Sequence, residues 1–104
     1  MLRIFTIKQG DDFSFTVTFK NLTTDLTTFE MGIKKDYKDP MAITKSLNNG
    51  ITKVSTGKYR IDIPHTETEL LNPGYYIYDL RMSLGDVVFT PLYGFIIVDE
   101  SVFE

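Results

Sequence analysis

The fold of this chain is best indicated by the segment Asp12-Phe13-Ser14-Phe15-Thr16-Val17-Thr18-Phe19-Lys20. Its apolar side chains occupy every second position and alternate with serine, threonine and lysine. Because successive side chains of a strand point to opposite faces of the sheet, this period of two is typical of a strand with one buried face. The segment therefore predicts a half-buried β-strand.

Apolar stretches rich in β-branched and aromatic residues lie on both sides of this segment. They cover residues 2–7, 29–33, 41–46, 51–54, 59–63, 75–83 and 87–98. Such residues favour pleated surfaces, and the turn residues between them recur at roughly the 8–12-residue spacing of a β-sandwich. The chain is therefore predicted to be all-β, an antiparallel sandwich of about seven or eight short strands.

Three connections carry specific expectations. Residues 48–50, Asn-Asn-Gly, suit a hairpin turn between the stretches that flank them, because Asn and Gly tolerate positive φ. Residues 84–86 are expected to form another hairpin tip. Pro91 and Gly94 interrupt the long final stretch and are expected to mark a bulge or bend.

One short helical turn is expected before the last two strands. Thr66-Glu67-Thr68-Glu69 has the spacing of a capping box, in which a threonine and a glutamate satisfy the first backbone N–H groups of a helix. Pro73-Gly74 then ends the turn.

Length and composition restrict the class of protein. The 104 residues fit a single domain, residues 1–104, and 42% hydrophobic with 24% charged residues is ordinary for a globular protein. A net charge of −3 argues against nucleic acid as a partner. Cysteine is absent, so packing must stabilise the fold. The sequence shows neither a signal peptide nor an apolar run of ~20 residues, so we expect no membrane partner and synthesis in the cytoplasm.

The segment Leu71-Asn72-Pro73-Gly74-Tyr75-Tyr76 resembles the corner between the two sheets of immunoglobulin-like and fibronectin-like domains. In those domains a tyrosine hydroxyl bonds back to the preceding loop. The resemblance implies an immunoglobulin-like sandwich with a structural corner at Pro73, Gly74 and Tyr76. The alternative is that Tyr76 is one more core aromatic residue with a solvated hydroxyl.

A narrower resemblance is found near both ends of the chain. Lys8-Gln9-Gly10-Asp11-Asp12-Phe13-Ser14-Phe15 is similar to the opening of small immunoglobulin-like bacteriophage domains, such as the N-terminal domain of baseplate upper proteins. Residues 71–81 resemble that family's "LxPGxYxYDI" strand, and residues 87–98 resemble its "GxFxV" ending. Residues between these segments match only thinly.

The resemblance implies a structural or assembly module of a virion, in the tail, baseplate or neck. Such a module acts by protein–protein contacts with other virion proteins and with copies of itself. It is made in the host cytoplasm and then assembled into the virion. The same fold would also serve a carbohydrate- or protein-binding module outside any virus, and a small hydrolase is the third alternative.

No residue pattern predicts a catalytic, cofactor or metal site. His65 is the only histidine, and no motif such as G-x-S-x-G marks a nucleophile. The pairs Asp11-Asp12 and Asp99-Glu100 match no calcium-loop spacing, and acidic residues at turns are usually solvated. We therefore expect a protein that is not an enzyme, uses no cofactor, and tolerates His65→Ala without loss of stability.

The chain ends and two tyrosines are the predicted interface. Chain ends are commonly disordered unless something holds them, so apolar ends should be buried in their own sheet or against another subunit. Exposed tyrosines are favoured in interfaces. The candidates are Leu2, Ile4, Phe5, Tyr75, Tyr93, Val102 and Phe103. We hypothesise that residues 1–7 or 99–104 form an assembly contact by strand addition; the alternative is that both ends pack within one sandwich.

Overall fold

A computed structural model of the chain describes residues 1–102. These residues form β1 (Leu2–Lys8), β2 (Phe13–Thr18), β3 (Thr28–Lys34), β4 (Met41–Leu47), β5 (Gly50–Ser55), β6 (Lys58–Ile63), β7 (Gly74–Leu84) and β8 (Val87–Asp99). A helical turn, α1 (His65–Thr68), lies between β6 and β7. The all-β class, the eight strands and the short helical turn predicted from the sequence are confirmed.

All eight strands belong to one hydrogen-bonded sheet in the order β1-β8-β7-β3-β4-β5-β6-β2. The sheet folds over on itself, because its two end strands touch. The ring of Phe5 on β1 lies 4.6 Å from that of Phe15 and 5.4 Å from that of Phe13, both on β2. One layer of the sandwich therefore contains β1, β8, β7, β3 and β4, and the other contains β5, β6 and β2.

The core lies between these layers and is built from the inward half of each alternating strand. The apolar side chains of β2 are half-buried against it while Ser14, Thr16 and Thr18 are exposed, as the period of two predicts. The most deeply buried apolar side chains are Phe29, Met31, Ile33, Ile51, Tyr59, Ile61, Ile63, Leu80, Met82 and Ile96.

Most strand pairs are antiparallel, as predicted, but β1 departs from this pattern. This strand runs parallel to β8, in register from Leu2 opposite Tyr93 to Lys8 opposite Asp99. β1 and β2 are consecutive in the chain but lie at opposite ends of the sheet order, so β1 pairs with the last strand instead of the next one.

The predicted hairpin at residues 48–50 is wrong. Asn48 and Gly50 do adopt positive φ, 66° and 96°. However, β4 and β5 pair at only two positions and in parallel, Ser46 with Gly50 and Leu47 with Ile51. The turn carries the chain from one layer of the sandwich to the other, so the strands that it joins diverge.

Pro91 and Gly94 have different roles in β8. The register with β7 shifts from Leu80–Leu92 to Met82–Phe89, which places the predicted bulge beside Pro91. Gly94 stays in register with φ of +152°, and a Cβ there would lie 2.2 Å from the carbonyl oxygen of Arg3. The glycine therefore lets β1 approach β8 closely.

Three buried tyrosines bond backbone groups. Tyr59 accepts a hydrogen bond from the N–H of Leu26 at 3.1 Å. Tyr76, at the start of β7, donates to the carbonyl oxygen of Asn72 at 2.9 Å. Tyr78 stands opposite Gly94 and donates across it to the carbonyl oxygen of Arg3 at 2.8 Å. Each hydroxyl thus satisfies a main-chain group that burial would otherwise penalise.

The corner before β7 has the geometry that a tyrosine corner requires. Gly74 takes a φ of +142°, which lets the chain turn into the strand directly after Pro73. The ammonium group of Lys35 lies 4.6 Å from the centroid of the Tyr76 ring. Burial raises the pKa of the Tyr76 hydroxyl, which keeps its proton available for Asn72.

The capping box predicted at residues 66–69 is wrong, because α1 begins two residues earlier than a helix capped by Thr66 would. Its N-cap is Pro64, which has no side chain that can accept a hydrogen bond. The carboxylate of Asp12, distant in the chain, accepts the N–H of His65 at 2.6 Å instead. A tertiary contact thus satisfies a helix donor that the sequence assigns to a local side chain.

The connection between β1 and β2 holds the segment that follows α1. Gln9 donates from Nε2 to the carbonyl oxygen of Leu71 at 2.9 Å. Thr68, fully buried, donates from Oγ1 to the carbonyl oxygen of Asp11 at 2.7 Å. On the other side of α1, Glu67 pairs with the buried Lys45 of β4 at 2.5 Å. Within residues 1–102, no helix is long and apolar enough to cross a bilayer.

Replacing Tyr78 with phenylalanine is expected to destabilise the fold by about 1–2 kcal/mol, because the carbonyl of Arg3 loses its buried donor. Urea denaturation followed by tyrosine fluorescence or circular dichroism would measure the change. The matched control is Tyr37→Phe, which removes a hydroxyl from a ring that is 79% exposed. Equal stability of Tyr78→Phe and Tyr37→Phe would contradict the role given to this bond.

Alkaline pH is expected to weaken the wild-type fold through the same hydroxyl. Burial raises the pKa of Tyr78 from 10.0 to about 12. Since the folded chain holds this proton more tightly, its contribution is complete below pH 10 and is lost as pH rises towards about 12. Unfolding free energies measured across that range should fall less steeply in Tyr78→Phe than in the wild type.

Candidate interaction surface

The outward side of β1, β8 and β7, the outer face, carries adjoining rows of apolar side chains. Residues that stand opposite one another on neighbouring strands form each row. In the middle row, Phe95 stands between Ile4 and Ile77. Tyr93 and Leu2 form the row on one side. The row on the other side contains Thr6, Ile97 and Tyr75. We call Leu2, Ile4, Tyr75, Ile77, Tyr93, Phe95 and Ile97 the apolar patch.

The patch exposes a large area for a surface of this size. Tyr75 is 68% exposed, Leu2 57%, Ile4 56%, Tyr93 45% and Phe95 44%. If a large side chain offers about 200 Å², these five residues expose roughly 500 Å². The largest apolar patch on a typical monomeric protein measures about 300–600 Å² and is often functional, so this patch is a candidate interaction site.

Four of the predicted interface residues lie in this patch. Leu2 and Ile4 come from β1, Tyr93 from β8, and Tyr75 from β7. The two tyrosines and the N-terminal residues, predicted for separate reasons, are thus parts of one surface.

The prediction that Phe5 belongs to the interface is wrong. This residue is only 7% exposed and packs against Phe13, Phe15 and Tyr78 in the core. Side chains alternate along β1, so Ile4 and Phe5 cannot both point outward. Val102 is 91% exposed beyond the end of β8, and Phe103 lies outside the described residues.

Sequence reasoning placed Ile77 on the same strand face as Tyr75 without assigning it to the interface, and it missed Phe95 and Ile97. Val87 to Val98 is almost continuously apolar, so the period of two cannot be read within it. Pairing resolves the ambiguity, because the buried Ile96 and Val98 alternate with the outward Phe95 and Ile97. The exposed tyrosine at position 93, two residues before Phe95, was the available signal.

Charges around the patch are balanced in sign. At outward positions beside it or at its ends lie the acidic residues Glu30, Asp79 and Asp99 and the basic residues Lys8, Lys34 and Arg81. The chain carries a net charge of −3, so its excess negative charge lies elsewhere. The surface therefore attracts neither strongly basic nor strongly acidic partners by charge alone.

Next to the patch, a shallow depression of about 510 Å³ opens over β3, β4 and β7. Gly32 leaves this space because it has no side chain, and the side chain of Met41 lies over it. Ile77 joins the depression to the apolar patch, but much of its wall is charged, with Glu30, Lys34, Asp79 and Arg81 among the lining residues.

His65 was the candidate for catalysis, and the structure gives it a partner. Its Nδ1 lies 2.9 Å from the carboxylate of Asp12, and both side chains are exposed. The hydrogen bond from the backbone N–H of His65 lowers the pKa of Asp12 below its usual value of 3.8, and the contact with the His65 ring lowers this pKa further. An aspartate–histidine pair can orient a base, but here the same carboxylate caps α1, so its geometry serves the fold.

The acidic pairs considered for calcium do not form a cluster. Asp12 is engaged with His65, while the backbone of Asp99 accepts the N–H of Gln9 at 2.9 Å. Among residues 1–102, no group of three or more histidine, cysteine, aspartate or glutamate side chains could hold a metal ion.

No protein-family model and no curated protein matches this chain. Solved structures do match. The second immunoglobulin domain of the mouse polymeric immunoglobulin receptor is 11% identical, with full coverage of both chains and a TM-score of 0.53. A Bacteroides vulgatus protein provisionally named a glycoside hydrolase is 15% identical over 93% of this chain, with a TM-score of 0.54.

These similarities define the fold alone. The chain spans only 16% of the Bacteroides protein, so that protein's named activity belongs to a much longer molecule. Together with the strand order and the eight-stranded sandwich, they identify the chain as an immunoglobulin-like β-sandwich domain.

Asp12→Ala is expected to lower the melting temperature more than His65→Ala. The aspartate variant loses both the bond to the N–H of His65 and the contact with its ring, whereas the histidine variant keeps the main-chain bond. Thermal unfolding at neutral pH would compare the two variants. A larger loss in His65→Ala would show that the ring, not the helix cap, is the stabilising partner.

Proposed function

We propose that this domain is a non-enzymatic protein-binding module that acts through its outer face, and that it is a building block of a bacteriophage particle. The observation that carries the binding role is the contiguous, exposed apolar patch on β1, β8 and β7. A solvated sheet face normally carries mostly polar side chains, so this face is built for a partner.

The composition of the patch supports a protein partner. Tyr75, Tyr93 and Phe95 are aromatic residues at half-exposed or exposed positions of a rigid sheet. Aromatic side chains bury a large area while losing few rotamers, and they are enriched at the centres of protein interfaces. Held on paired strands, they lose little further freedom when they bind.

The place in a virus particle is supported by the family resemblance at both ends of the chain. Residues 8–15, 71–81 and 87–98 resemble small immunoglobulin-like phage domains, which usually attach a fibre or receptor-binding element to a tail. As such a component the protein would be made in the host cytoplasm and assembled in several copies with other virion proteins. A carbohydrate- or protein-binding module outside any virus is the alternative that this fold equally supports.

The absence of catalysis is supported by the use of the polar groups near His65. Asp12 caps α1, Gln9 binds the carbonyl of Leu71, and Thr68 binds the carbonyl of Asp11. These bonds connect the two layers of the sandwich, so the polar groups that surround His65 are engaged with main-chain atoms of the fold.

Immunogold labelling of purified phage particles is the decisive experiment. Antibody raised against this domain should label tails, baseplates or necks at regular positions. Particles assembled with Phe95→Lys in place of the wild type should carry little of the protein, because the variant buries a charge in the contact. The control is Val54→Lys, a change at a 50% exposed position on β5, in the other layer.

Unlabelled particles from cells that contain the protein would overturn the virion role and favour the non-viral binding module. Equal incorporation of Phe95→Lys and Val54→Lys into particles would leave the virion role standing and remove the outer face as its contact.

A further inference from the structure

We infer that the free edge of β1 binds an extended segment of another protein, which joins the eight-stranded sheet as a further strand and carries apolar and acidic side chains. This contact is made by main-chain groups at the edge of the sheet. It therefore goes beyond the proposed use of the outer face, where side chains make the contact. Each of the two contacts can exist without the other.

The register of β1 with β8 fixes which of its main-chain groups are paired. Tyr93 donates its N–H to the carbonyl oxygen of Met1 at 3.1 Å, and at the other end Gln9 donates its N–H to the carbonyl oxygen of Asp99 at 2.9 Å. In a parallel pair, every second residue directs both its N–H and its C=O toward the neighbouring strand. The residues of β1 that do so are Arg3, Phe5 and Ile7.

The other residues of β1 direct their main-chain groups to its free edge. These residues are Leu2, Ile4, Thr6 and Lys8. Within residues 1–102, no strand pairs with this edge, and its only bonded group is the carbonyl oxygen of Lys8, which accepts the N–H of Asp11 at 3.1 Å. An extended backbone is the partner that satisfies such a row of alternating donors and acceptors.

The edge of β2, at the other end of the sheet, differs in chemistry. Phe19 donates its N–H to the carbonyl oxygen of Gly57 at 2.7 Å, which fixes the alternation along β2 in the same way. The exposed residues that direct main-chain groups to that edge are Ser14, Thr16 and Thr18. On β1, Leu2 is 57% exposed and Ile4 56%. On the solvent side, an added strand therefore gains apolar contact beside β1 but only polar contact beside β2.

The inner side of the β1 edge also has apolar surface to cover. Phe13 and Phe15 of β2 point inward but are only half-buried, since β1 and β2 are both end strands of the sheet. Their ring centroids lie 5.4 Å and 4.6 Å from that of Phe5 on β1. Inward side chains of a strand beside β1 would lie next to these rings and bury them further. The added segment is therefore apolar on both of its faces.

The charge of β1 indicates what else the segment carries. Lys8 stands opposite Asp99, whereas Arg3 stands opposite Gly94, which has no side chain. The exposed Arg3 guanidinium lies 4.7 Å from the centroid of the Phe5 ring, at the seam between β1 and β2. A carboxylate in the added strand would pair with it. A second copy of β1 contains no acidic residue to place there, so the partner is a different protein.

Amide hydrogen exchange measured by NMR tests the inference on the isolated domain. The probe is a seven-residue peptide with valine and threonine between two terminal glutamates, so that either strand direction places a carboxylate beside Arg3. Without peptide, the Ile4 amide should exchange much faster than those of Arg3 and Phe5, because only its neighbours bond β8. The peptide should protect the amides of Leu2, Ile4 and Thr6 in a saturable manner.

Ile4→Pro is the sharpest variant, because proline removes the N–H that faces the free edge and leaves the bonds to β8 in place. It should weaken binding of the peptide by more than about tenfold. Thr16→Pro makes the equivalent change at the edge of β2 and should bind as the wild type does. Phe95→Lys changes the outer face and should also bind normally, which separates this contact from the proposed function.

Arg3→Glu gives a second test that does not depend on how the proline variants fold. The wild type should bind the glutamate peptide about fivefold more tightly than a peptide with lysine at both ends. In Arg3→Glu the preference should be reversed, because the exposed charge at the seam has changed sign. Circular dichroism would show that the variant keeps its β structure.

Three results would overturn the inference. They are edge amides that gain no protection at millimolar peptide, equal binding by Ile4→Pro and the wild type, and protection of the Thr16 amide in place of Ile4. Protection without peptide in a domain that sediments as a dimer would also overturn it, because the occupant would be a second copy. If the peptide fails to bind and Phe95→Lys still fails to enter particles, the proposed function stands and only the edge contact is removed.

Discussion

The pairing of β1 with β8 is the contact on which the rest of the structure depends. It is parallel, joins residues at opposite ends of the chain, and needs a close backbone approach that Gly94 permits. Tyr78 then bridges β8 from the next strand and fixes the carbonyl of Arg3. With β1 in this layer, Phe5 reaches the aromatic residues of β2 and the sandwich closes. The same pairing turns Leu2 and Ile4 outward, so that the core and the outer face arise from one strand.

Five of the seven patch residues lie within the segments that carry the sequence resemblance, but the residues of those segments that hold the fold together are different ones. Gln9 and Asp12 hold the segment around α1, and Tyr76 locks the corner before β7. These side chains form hydrogen bonds that stabilise the fold. Motifs that contain them therefore indicate the fold of a domain better than its function. The apolar patch consists mainly of outward side chains, which other residues could replace without straining the strands. Domains that share the motifs could therefore present different surfaces to different partners.

An apolar outer face also has a cost that the surrounding structure limits. Exposed apolar strands invite unspecific association, and edge strands invite pairing with other chains. Here the largest aromatic residues lie on β7 and β8, whose backbone groups are already paired on both sides along most of their length. Contacts at this face must then be made by side chains, which demand a matching shape. Balanced charges at the rim further restrict the orientations that a partner can take.

The sequence by itself determined the class of structure, because the properties that define it are local. Alternation along Phe13–Thr18 and the other stretches sets which residues form strands, and Pro73-Gly74-Tyr76 marks a corner whose bond spans only four residues. Pairing is not local. Distant segments meet where β1 pairs in parallel with β8, where Asp12 caps α1 and where Lys45 pairs with Glu67. The outward direction of Phe95 likewise depends on the strands that pair with β8. Only the tertiary structure decided them, since a period of two shows that side chains alternate but not which neighbour a strand will meet.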